Sequence, residues 1–96
     1  MNTQEEQLTK LEEDIKGVLA DFVFEKNDAD TRHSIKAFVE NYINTNAPHV
    51  DYYIHCSDVN NTEDIIKLNE LVVDVCIRND PSEDFFNTTY QLQSDL

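Results

Sequence analysis

The sequence predicts an α+β fold: a small mixed three-stranded sheet packed against two helices, with a short connecting helix, in the order α-α-β-α-β-β. Two patterns carry this prediction. In the N-terminal half, apolar residues recur at spacings of three and four, as helices with one buried face require. From position 50 onward, apolar and polar residues alternate over three short runs, as half-buried strands require.

The first helix is expected from about Thr3 to Phe24. Thr3 and Glu6 fit a capping box, in which each side chain satisfies a backbone N–H left free at the helix start. Leu8, Leu11, Ile15, Val18 and Phe22 draw its apolar stripe. The stripe has a heptad-like rhythm but is short for a coiled coil, so packing onto the domain's own sheet or onto a neighbour is the reading adopted. Gly17, in mid-helix, costs about 1 kcal/mol relative to Ala; it either permits close packing or is simply tolerated.

Asn27-Asp28-Ala29-Asp30 reads as a turn and N-cap opening a second helix, about Ala29 to Asn44, with Ile35, Phe38, Val39, Tyr42 and Ile43 on its buried face. Pro48 ends the helical region. Val50 to Cys56 alternates as a strand, with Val50, Tyr52, Ile54 and Cys56 on one side and Asp51, Tyr53 and His55 on the other. Ser57 to Asn69 is a connection containing a short helix capped by Thr62. Glu70 to Arg78 is the clearest strand: Leu71, Val73, Val75 and Ile77 share a face opposite Val72, Asp74, Cys76 and Arg78. After a turn at Asn79-Asp80-Pro81-Ser82, the last strand, about Phe85 to Leu92, sets Phe86, Thr88, Tyr90 and Leu92 on one face. The expected core comprises Leu11, Ile15, Val18, Phe22, Ile35, Phe38, Val39, Tyr42, Ile54, Val73, Val75 and Ile77.

Ninety-six residues make one domain, 1–96, which buries about 60–65% of the surface its unfolded chain exposes. The polar, acidic start from Met1 to Glu6 is unlike a secretory signal, and no apolar run is long enough to span a membrane. Synthesis in a cytoplasm is the expectation. The formal charge of −13, from 20 acidic and 7 basic residues, argues against direct nucleic-acid binding. It suits either solubility or a basic partner surface.

The residues offer little chemistry. His33, His49 and His55 share no metal-ligand spacing with each other or with a cysteine. Cys56 and Cys76 lie on two predicted strands. Pairing of those strands would make a disulfide geometrically conceivable, whereas a cytosolic setting favours reduced core thiols, the reading adopted. One glycine leaves no phosphate-cradling loop. The Asp58-to-Asn61 cluster lacks the spacing of an EF-hand and reads as a hydrogen-bonded turn. Asn60-Asn61-Thr62 and Asn87-Thr88-Thr89 match the glycosylation pattern by chance if the chain is not secreted. No catalytic residue, cofactor or metal site is expected, and the chain does not read as an enzyme.

The run Asn60-Asn61-Thr62, followed by Asn69-Glu70 and the Val72-Val73-Asp74 strand, resembles the C-terminal domain of contractile bacteriophage tail sheath proteins. Phe24-Glu25-Lys26-Asn27-Asp28 with Thr31-Arg32 is similar to that family's Phe-Glu-Pro-Asn-Asp turn and helix start, with Lys26 in place of proline. Asp51 to Cys56 stands where the family has a strand ending in Cys, and Phe85 to Tyr90 resembles its closing strand. In this chain the proline after the strand's final basic residue is displaced to Pro81.

The resemblance implies a structural role in a phage tail, as a small sheath-like subunit such as an initiator, terminator or regulator, or as a piece of a larger subunit. The start at Met1 favours a separate gene product. Expected partners are other tail proteins (sheath, tube or baseplate) or further copies in a homo-oligomer, with no direct nucleic acid and no membrane. The expected location is the host cytoplasm and then the virion tail. A three-stranded sheet leaves two edges. The edge at Asn87, Thr88, Thr89, Tyr90 and Gln91 is the expected partner-binding segment, recruiting a strand from a neighbour. An acidic DNA mimic, or an adaptor that inhibits or recruits a basic partner, is the alternative; a DNA mimic would carry a continuous stripe of carboxylates at phosphate-like spacing.

Overall fold

The computed structural model describes residues 4–95. Helix α1 (Gln4–Leu19) runs into a 3-10 turn (Ala20–Phe22) and is followed by α2 (Ala29–Asn46), β1 (Asp51–His55), α3 (Glu63–Lys67), β2 (Glu70–Arg78) and β3 (Phe86–Gln93). The fold is α+β in the expected order. The sheet has the order β1-β2-β3. It was expected to be mixed, but its named strands are all antiparallel. The reason is the connection from β1 to β2. A five-residue α3 rises only about 8 Å, too little to carry the chain back along β1 for a parallel crossover. Among the described residues, one parallel contact is present, a bridge between Lys26 and Asp95.

Local chemistry explains where the helices begin. Asp28 caps α2 by accepting the Thr31 N–H at 2.8 Å, and this bond, first of all, holds the Asp28 carboxyl below its ordinary range. Thr62 caps α3 through the Ile65 N–H at 3.5 Å. The expected capping pair on α1 involves Thr3, which lies outside the described residues.

One layer of helices packs on one face of the sheet. The core joins Leu8, Leu11, Ile15 and Leu19 of α1 to Ile35, Val39 and Ile43 of α2, and to Val50, Ile54, Leu71, Val73, Val75, Ile77 and Tyr90 of the strand region. Two expected core residues are displaced. Leu19 is fully buried while Val18 is only half-buried, so the last turn of α1 faces the core one residue later than the stripe implied. Phe38 is 50% exposed, because α2 turns the row Ile35–Val39–Ile43 inward. Phe22 and Tyr42 are partly buried against the core. Gly17 has open space where a Cβ would stand, so close packing is not its role.

Cys56 and Cys76 sit on opposite faces of the sheet, as the β1–β2 register requires, and both are free thiols. Burial pushes the Cys56 thiol up to about 11, which disfavours the thiolate.

Candidate functional site

The turn before α2 and the turn before α3 meet in a buried polar junction. Strand β2 is longer than β1, which pairs only with Asp74 to Arg78. The backbone of Glu70 and Val72 on that side therefore has no strand neighbour. Side-chain amides replace it. Asn61, 1% exposed, accepts the Val72 N–H at 2.7 Å and donates to the Val72 carbonyl at 2.9 Å. It also donates to the Ser57 carbonyl at 2.9 Å. Asn27 donates to the Glu70 carbonyl at 2.9 Å and to Asn61 Oδ1 at 3.0 Å. Arg32 then donates to Asn27 Oδ1 at 2.8 Å.

Asn60 completes the loop. It donates to the His55 carbonyl and to the Asp74 carboxylate, while its Oδ1 accepts the Ser57 N–H. These bonds make the Asp58-to-Asn61 region a hydrogen-bonded turn. Most of its amide bonds go to backbone groups, which is what burial of those groups demands. Among the described residues, no group of three or more His, Cys, Asp or Glu converges to hold a metal ion.

The second feature is the outer side of β3. Ser94 N–H bonds to the Asn69 carbonyl, in register with the β2–β3 pairs. The antiparallel alternation then points the backbone groups of Phe86, Thr88, Tyr90 and Leu92 at β2, and those of Asn87, Thr89, Gln91 and Gln93 away from it. The far end of this outer side is closed. The Gln93 carbonyl accepts the Phe24 N–H at 2.7 Å, and the Asp95 N–H donates to the Glu25 carbonyl at 3.0 Å. From Asn87 to Gln91 no backbone segment among the described residues pairs with it.

The five residues expected to bind a partner therefore divide. Asn87, Thr89 and Gln91 are exposed and turn their backbone outward. Thr88 and Tyr90 turn inward, with side chains that anchor α1: Thr88 Oγ1 donates to Glu12 Oε1 at 2.8 Å and the Tyr90 hydroxyl to the Glu12 carbonyl at 2.9 Å. Burial, and then the nearby Glu12 carboxylate, push the Tyr90 hydroxyl's pKa well above its ordinary range. Glu12 carried no signal in the sequence, since its role depends on a contact with residues 76 and 78 positions away. The other outer edge, on β1, belongs to a strand of only five residues.

The turn that closes the end of β3 is strained. Phe24 adopts φ 70°, a left-handed conformation unusual for a bulky residue, and its ring is 62% exposed. Asn69, at φ 58°, is of a type that tolerates this region. Both residues bond to the Gln93–Ser94 segment, so the chain end of β3 is clamped from two sides.

No protein-family model, no curated protein and no solved structure matches the chain.

Proposed function

We propose that this chain is a structural protein of a contractile phage tail, a small sheath-like subunit that docks to sheath, tube or baseplate components by strand addition, and that it performs no catalysis. The tail assignment draws on the resemblance of the Phe24–Arg32 and Asn60–Arg78 segments to sheath C-terminal domains. Their contact through Asn27 and Asn61 supports reading them as one unit. The docking mode rests on one observation: the outer side of β3 carries unpaired backbone from Asn87 to Gln91, and a strand can be completed there.

Affinity purification from infected cells, followed by mass spectrometry, tests both parts of the proposal. Sheath, tube or baseplate proteins should accompany the wild-type chain. They should be depleted with Thr89→Pro, because the Thr89 N–H points away from β2 and its loss spares the ladder. Thr89→Val controls for the hydroxyl that donates to Asp74 at 2.6 Å. Retrieval of a DNA-binding protein and no tail protein would instead favour an acidic DNA mimic.

A further inference from the structure

We infer that a second surface, separate from the β3 edge, binds a basic protein segment carrying one bulky apolar side chain. It lies where the 3-10 turn after α1 meets the start of α2. There an open pocket of about 320 Å³ is lined by Asp21, Phe22, Glu25, Asp30, Thr31 and Ser34. Phe38, one helical turn beyond Ser34, stacks edge-on against Phe22 with centroids 5.7 Å apart. Half of the Phe38 ring remains exposed.

The chemistry of the rim selects the occupant. Among the described residues, the carboxylates of Asp21, Glu25 and Asp30 form no salt bridge; the pairs present are Lys10–Asp14 and Asp51–Arg78. Lys26, beside Glu25, is close enough to act on the Asp28 carboxylate but does not line the pocket. Arg32, His33 and Lys36 line a different pocket with Cys56 and Ser57. One flank of α2 is thus aromatic and acidic and the other basic, within a chain of formal charge −13. A pocket walled by Phe22, with the exposed Phe38 beside it and an anionic rim, fits an apolar anchor flanked by Lys or Arg and repels acidic segments.

The bland alternative is that Phe22 and Phe38 simply seal the turn against the helix. Stability and binding separate the two readings. Selection of a random linear peptide display library against the full-length chain should enrich sequences with a central bulky apolar residue flanked by Lys or Arg. Phe38→Ala and the charge-only variant Asp30→Asn, each shown folded by circular dichroism, should bind the enriched peptides at least about tenfold more weakly. Thr89→Pro should bind them unchanged, which separates this surface from strand addition. The inference is overturned if no peptide is enriched, if the enriched peptides lack either the apolar or the basic component, or if they bind the folded Phe38→Ala and Asp30→Asn variants as tightly as wild type.

Discussion

Asn27 Nδ2 donates to Asn61 Oδ1 at 3.0 Å across 34 positions of sequence, inside the domain. That bond links the turn before α2 to the turn before α3. Together the two amides stand in for a missing strand beside Glu70 and Val72.

Removing Asn61 should therefore be costly. Asn61→Leu leaves the Val72 N–H and C=O buried without partners, at about 1–3 kcal/mol each, so a loss of about 2–6 kcal/mol is expected in urea unfolding. Asn27→Ala should cost less, because Asn61 keeps its bonds to Val72. A double-mutant cycle should give a coupling of about 0.5–3 kcal/mol. Additive losses would mean that the two amides act independently.

The rotation of α1 makes a second prediction. Leu19→Ala should cost about 2–5 kcal/mol and Val18→Ala about 1 kcal/mol or less, as measured by denaturant midpoints. Val73→Ala, in the center of the sheet, should cost about 1–3 kcal/mol. Equal losses at Leu19 and Val18 would contradict the observed packing of the last turn.

Much of this was legible in the sequence. The strand Glu70–Arg78 is found with the expected bounds, since a nine-residue alternation fixes both its period and its faces. Helix α2 starts at Ala29, where Asp28 offers a capping carboxylate. Three features escaped. The exposed Phe38 was assigned to the core because helical spacing alone cannot choose between neighboring rows when both hold apolar residues. The antiparallel direction depends on how far α3 reaches, which periodicity does not report. The closure of the end of β3 by Phe24 and Glu25 rests on a left-handed turn at a phenylalanine, a conformation the residue type argues against.

Acid should expose the cap of α2. The Asp28 carboxyl is held below its ordinary value of 3.8, so the stability it contributes is complete above that value and is lost as pH falls through its folded pKa. Asn at this position keeps the cap without titrating. The fall in unfolding midpoint from about pH 5 to pH 2 should be shallower in Asp28→Asn than in wild type. An identical acid limb in both proteins would show that the cap bond does not form in solution.

Salt should separate steering from docking. Between about 0.05 and 0.5 M salt the Debye length shortens from about 14 to 4 Å. With a formal charge of −13, association with a basic partner of the kind proposed should slow steeply over that range, while dissociation changes much less. A flat association rate would assign the charge to solubility alone.

Residue-resolved amide hydrogen exchange, on the free chain and on its complex with the proposed tail partner, tests strand addition at β3 most directly. In the free chain the amides of Thr88, Tyr90 and Leu92 should exchange slowly and those of Asn87, Thr89 and Gln91 fast, following the register. On docking, Asn87, Thr89 and Gln91 should become protected by at least about tenfold. A saturated complex in which those three amides exchange as fast as in the free chain would contradict the account.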